Sequence, residues 1–215
     1  MALSDQTRIR AREIIARYPH SRSALLPMLH LVQAEEGYVS ADGIALCAEE
    51  LALTTAEVSA VATFYTMYHK KPVGEYHIGV CINPGCGILG GDAIWSTLCS
   101  RLGIGNDEVT EDGKISLERI ECQAACTHAP VMTANWEFLD NMTPDSAVEV
   151  VEKLRAGQEV HSTRGPKIPT FKENELLLAG FDDGLTNEGA GSDEFMLAGL
   201  NRAKELGQSA PEVKS

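Results

Sequence analysis

Four of the six cysteines stand in two close pairs, Cys81-x4-Cys86 in "CINPGC" and Cys122-x3-Cys126 in "CQAAC". Each pair follows an apolar run of strand character and opens an irregular stretch, so a fold must carry two cysteine-bearing loops. Two such loops at one end of a small sheet can converge on a single ion or cluster. The start of the chain, "MALSDQTRIRAREII", lacks the apolar run of a secretory signal, and its arginines alternate with acidic residues, unlike a transit peptide. No run of about 18 apolar residues suggests a membrane-spanning helix. The expected compartment is therefore cytoplasmic, where paired cysteines serve as metal ligands or reactive thiols more often than as disulfides.

The remaining cysteines differ. Cys47 in "ALCAEEL" and Cys99 in "STLCSRL" sit inside amphipathic helical patterns and read as small core residues. The net charge of −13 argues against nucleic acid or an anionic membrane surface as the main partner, because both require a basic patch.

Residues 1–72 read as a small helical bundle. Ser4 caps a first helix carrying Ile9, Ile14 and Ile15 that ends near Tyr18-Pro19. A second helix starts near Ser23, places Leu25, Leu26, Leu29 and Val32 at helical spacing, and stops at Gly37. Ser40 opens a third. Thr54 and Glu57 form a capping box for a fourth with Val58, Val61, Phe64, Tyr65 and Tyr68. Over residues 73–158 the period changes. "YHIGVC" predicts a strand, "GDAIWSTLCSRLGI" a helix and "KISLERIEC" a strand. "APVMTANWEFLD" predicts one more strand or a pair joined near Asn135, and Thr143 and Pro144 open a helix ending at Gly157. Residues 159–215 are acidic and contain Gly and Pro, the composition of an irregular extension that is partly disordered or wraps a partner. "EFMLAGLNRAKELG" predicts one late helix there. "FKENELLLAGF" and "EFMLAGL" are its candidate apolar anchors on a partner, and "TFYTMYHKK" is a candidate interface segment of the bundle.

Gly85, Gly87 and Gly90 spell G-x-G-x-x-G across the first cysteine loop. A dinucleotide fold would also need a second parallel strand ending in an acidic residue about 20 positions on. Asp107 and Glu108 stand near that distance, but "GNDEVTEDG" is turn-rich, and this reading leaves Cys81 and Cys86 unexplained. The glycines are expected to permit a tight strand-to-helix turn. On spacing alone, the cysteine pairs allow structural zinc, which favours C-x2-C knuckles, or a [2Fe–2S] cluster, whose larger size suits looser loops. Thioredoxin-type thiol exchange wants C-x-x-C, which neither pair has. No H-E-x-x-H, G-x-S-x-G or paired-carboxylate motif points to hydrolytic or acid–base chemistry.

Residues 20–157 resemble a family. "RSALLPMLHLVQAEEGYVS", "VATFYTMYHKKPVGEYHIGVC" and "DGKISLERIECQAACTHAPV" are similar to the small [2Fe–2S] subunit of the NADH-oxidising module of respiratory complex I. The resemblance implies an α+β chain, a helical part followed by a thioredoxin-like ferredoxin domain. It implies one [2Fe–2S] cluster on Cys81, Cys86, Cys122 and Cys126 and no catalytic residues on this chain. It further implies a neighbouring flavoprotein subunit that carries FMN and NADH, a larger iron–sulfur subunit, and a peripheral place on the cytoplasmic side of the inner membrane. Diaphorase subunits of NAD-linked hydrogenases and formate dehydrogenases share these motifs, and a zinc-stabilised adaptor is the redox-inactive alternative. The chain departs from the family's C-L-G-A-C at Gln123-Ala124. His128, beside Cys126, is expected to serve outside the ligand set, because four cysteines complete it.

Overall fold

Capping side chains set the start of most of the helices. In the computed structural model, which describes residues 3–185 and 188–210, the Ser4 hydroxyl accepts the Thr7 N–H and opens α1 (Asp5–Ile15). A single 3-10 turn at Ser21–Ala24 leads into α2 (Leu25–Glu36), so Pro27 falls in the first helical turn, where its missing N–H has no intrahelical partner to lose. Gly37 ends α2 in the left-handed conformation at φ 81°. Ser40 caps α3 (Ala41–Leu51), and the Thr54–Glu57 capping box opens α4 (Thr55–Phe64). The fourth helix stops earlier than the apolar pattern suggests. Tyr65 is already extended, and Tyr68 reaches back to donate its hydroxyl to the Leu26 carbonyl. These helices bury one core around Ile14, Met28, Leu29, Val32, Cys47 and Val58.

A second core lies on one face of a five-stranded sheet of order β2-β3-β1-β4-β5. Strand β1 (Tyr76–Cys81) runs parallel to β3 (Ile115–Ile120) and antiparallel to β4 (Met132–Ala134), which pairs with β5 (Glu137–Leu139). The two-residue edge strand β2 (Glu108–Val109) lies in the stretch that its sequence marks as turn. Asn135 and Trp136, both at positive φ, make the β4–β5 connection a two-residue hairpin. Asn135 is fully buried. Its Oδ1 accepts the His77 N–H at 2.8 Å, and its Nδ2 donates to the carbonyls of Glu75 and Pro169. Ile78, Val80, Ile115 and Leu117 pack beneath α6 (Gly91–Leu102) and α7 (Pro144–Arg155).

From residue 159 the chain begins with packed structure, where composition suggests an irregular extension. Ile168 joins the sheet core, and α8 (Phe171–Leu178) lies against α2. Phe171, Glu175 and Ala179 are buried, and Leu176 packs on the bundle core. The expected partner anchor "FKENELLLAGF" is therefore seated on the chain's own bundle. Glu175 is the physical reason. Its carboxylate, wholly buried, takes His30 Nδ1 at 2.7 Å and the Gln33 amide at 2.8 Å, so a charged residue marks an inward face. The late helix forms as α9 (Glu194–Glu205), capped by Asp193, with none of its residues buried. Among the described residues, no helix is long and apolar enough to cross a membrane.

Candidate metal centre

The parallel pairing of β1 with β3 brings the two cysteine loops to one end of the sheet. Cys81, the last residue of β1, stands in register with Ile120, the last of β3, and the Ile82 N–H continues the ladder to the Ile120 carbonyl at 3.0 Å. Cys122 follows two residues beyond Ile120. Cys86 lies on α5 (Pro84–Leu89), a short helix inserted between β1 and α6 with proline at its first turn. Cys126 opens a 3-10 turn, Cys126–His128.

Cys81 and Cys86 are 2% and 3% exposed and pack against Val131, with Ala125, Ala129 and Phe138 around them. Val131 serves both. Its carbonyl accepts the Cys81 N–H at 3.1 Å, and its N–H donates to the Cys86 sulfur. Burial, followed by the hydrogen bond with the Cys81 thiol, pushes the Cys86 thiol up to about 11, and the charge of Cys126 adds to this. Cys86 is thus hydrogen-bonded to Cys81 and lies within electrostatic reach of Cys126. Cys122 and Cys126 are exposed, and the Ala124 N–H donates to the Cys122 sulfur at 3.3 Å.

The donor set suits an anionic iron–sulfur group. It offers four thiols on two loops, backbone N–H groups aimed at two of the sulfurs, and an apolar wall on one side. Cys47 and Cys99 stand apart in α3 and α6; burial lifts the Cys47 thiol to about 12, which suits a core residue. His128 is buried, and its Nε2 lies 2.7 Å from Asp193 Oδ2, so that nitrogen is committed to the cap of α9.

The steric role of the glycines falls elsewhere than the fingerprint suggests. A Cβ on Gly85 would meet open space. Gly90 holds φ 121° between α5 and α6, and a Cβ on Gly91 would lie 2.5 Å from the Cys81 carbonyl oxygen and 3.0 Å from that of Cys86. Gly91 is the glycine that lets α6 start against the cysteine loop. The doubled glycine of "GILGG" is its only sequence signal, and Val131 left none. At the point of departure from C-L-G-A-C, Ala124 sits at φ 54°, a conformation that suits glycine, and the Gln123 amide donates to Thr133 Oγ1 at 3.2 Å.

The family described as thioredoxin-like [2Fe-2S] ferredoxin matches residues 11–155, and the chain belongs to that family. Among its relatives, the E-type subunit of the NADH-quinone oxidoreductase of Mycobacterium tuberculosis (strain ATCC 25618 / H37Rv) is 51% identical over 202 residues, covering 94% of this chain and 80% of that protein. Its counterpart of the same name from Rickettsia bellii (strain RML369-C) is 41% identical over 148 residues, 67% of this chain and 89% of that one. An NAD+-reducing [NiFe]-hydrogenase in its air-oxidized state matches in fold, with TM-score 0.56 and 22% identity over 62% of this chain and 23% of the hydrogenase chain.

Proposed function

We propose that this chain is the E-type electron-transfer subunit of an NADH–quinone oxidoreductase and holds one [2Fe–2S] cluster on Cys81, Cys86, Cys122 and Cys126. The observation that carries the assignment is the convergence of both cysteine loops at the shared end of β1 and β3, in a chain 51% identical to such a protein. A bound [2Fe–2S] cluster takes up and releases one electron at a time. The chain's own residues set the conditions. The thiolates hold the irons, and the Val131 and Ala124 N–H groups stabilise negative charge on sulfur. Val131, Ala129 and Phe138 keep water from the inner side. The exposed Cys122–Cys126 loop forms the outer side, where a neighbour can approach.

On this reading the FMN- and NADH-binding flavoprotein is the immediate partner, and a larger iron–sulfur subunit of the same module lies nearby. The chain is peripheral on the cytoplasmic side of the membrane. The two separate cores support a boundary near residue 72 between bundle and ferredoxin domain, with an extension from 159. A hydrogenase or formate dehydrogenase diaphorase would use the same chemistry, but the relatives of 41–51% identity are quinone-linked, and the hydrogenase shares the fold alone.

Purifying the chain with its native partners tests the assignment. Co-isolation with an NADH-oxidising flavoprotein that reduces quinone is expected. Isolation with a hydrogenase would overturn it.

A further inference from the structure

The face of the sheet opposite α6 and α7 carries polar chemistry that the cluster does not use. His77 of β1 points there. Ser116, its register partner on β3, and Glu118, two residues further, share that face. His77 Nε2 lies 2.7 Å from Glu118 Oε2, and His77 Nδ1 lies 3.0 Å from Ser116 Oγ. From the other side, the segment after α4 delivers His69, whose ring stacks edge-on to His77 with centroids 4.7 Å apart. The backbone holds His69 in place. Its N–H donates to Gln33 Oε1 at 2.6 Å, and its carbonyl accepts the Val39 N–H at 2.8 Å. Trp136 and Phe171 close the back of the cluster.

His69 Nε2 is buried without a hydrogen-bond partner, although it faces a carboxylate and another imidazole. An orphaned buried nitrogen of this kind is destabilising unless something binds it. Burial, then the neighbouring His77, brings His69 down to about 4, so its ring is neutral and its lone pair available at neutral pH. Burial alone would raise the Glu118 carboxyl. Interaction with His77, its hydrogen bond foremost, outweighs it and holds the carboxyl below its ordinary range. The donor atoms of His69, His77 and Glu118 all lie within 4.8 Å of one another, beside a cavity of about 300 Å³ also lined by Tyr68 and Asp107.

We propose that His69, His77 and Glu118 form a binding site for a divalent cation of the zinc class, separate from the cysteine centre. Two imidazoles and one carboxylate are a donor set for borderline divalent metals, with the cavity leaving a further position to water. Tetrahedral ligands at zinc distances stand about 3.3 Å apart. The 2.7 Å His77–Glu118 contact therefore opens slightly, and His69, now within 4.8 Å of the other two donors, closes in. Ser116 Oγ can accept from His77 Nδ1–H as readily as it donates to bare Nδ1, so it orients the ring with Nε2 toward the metal. The ion would tie the segment that leaves the bundle to two central strands.

The test uses full-length, cluster-loaded protein, stripped of loose metal and dialysed against zinc(II), with iron and sulfide measured in parallel. One zinc per chain is expected, with a nitrogen/oxygen first shell at the zinc X-ray absorption edge. His69→Gln and Glu118→Gln should each weaken zinc binding by at least about 10-fold, the lower range seen for the outer partners of metal ligands, with iron content unchanged. Glu118→Gln preserves side-chain shape at a partly exposed position, which guards against loss through misfolding. Ser116→Ala should give a smaller loss. A sulfur first shell, equal zinc affinity in wild type and both variants, or no saturable binding by cluster-loaded wild type would overturn the proposal.

Discussion

Cys81 and Cys86 are almost wholly enclosed, sharing Val131 as donor and acceptor, whereas Cys122 and Cys126 lie open on a loop with a left-handed alanine and a side-chain tether to β4. The first pair belongs to the fold as much as to the centre. Its thiols fill space that would otherwise be a cavity at the end of β1 and beneath the start of α6. The second pair is held chiefly by local backbone geometry. A centre built this way has a rigid inner half, which fixes position, and an outer half available to a neighbour.

Cysteine substitution should break the comparison most sharply. Serine at any of the four positions is expected to abolish or rearrange the cluster, read as loss of iron, sulfide and visible absorbance. In the cluster-free chain the halves should separate. Cys86→Ser places a hydroxyl in an apolar pocket and should cost about 1–3 kcal/mol in urea unfolding, while Cys122→Ser should stay within about 0.5 kcal/mol. Equal costs would show that the inner pair is not part of the apo core.

Gly91 sharpens the same contrast without touching a ligand. Gly91→Ala forces a Cβ against two backbone carbonyls and should cost about 1–3 kcal/mol with partial loss of iron. Gly85→Ala meets open space in a short helix and should be neutral or stabilising by up to about 1 kcal/mol, measured by thermal unfolding. On the outer loop, Ala124→Gly removes the cost of a left-handed alanine, partly offset by a more flexible unfolded chain. A gain of about 0.5–1 kcal/mol with the cluster retained is expected. A similarly small effect should come from Gln123→Leu, which forfeits one partly buried hydrogen bond worth about 0.5 kcal/mol and should leave the visible spectrum intact.

Much of this organisation is legible in the sequence, because caps and periodicity are local signals. Ser4, Ser40, Thr54 and Thr143 cap the helices that their sequence predicts, and the change of period near residue 73 marks the passage from bundle to sheet. The four paired cysteines stand out by spacing. What spacing does not convey is environment. Two pairs that look alike in one dimension differ in burial because only the first is followed by a helix start pressed against it through Gly91. The packing of α8 escaped for a related reason: its inward face carries Glu175, which composition counts as solvent-exposed, and the partners that permit its burial are His30 and Gln33, distant in sequence. His69, His77 and Glu118 are likewise three separate letters until parallel pairing and the post-α4 segment bring them together.

Iron and sulfide analysis joined to low-temperature EPR of the reduced, purified chain, wild type beside Cys81→Ser, bears most directly on the cysteine centre. Wild type is expected to hold iron and sulfide at about two each per chain and to give a single spin-half signal, which Cys81→Ser loses or alters. A colourless chain containing only zinc at its cysteines, or an unchanged signal in Cys81→Ser, would contradict the assignment.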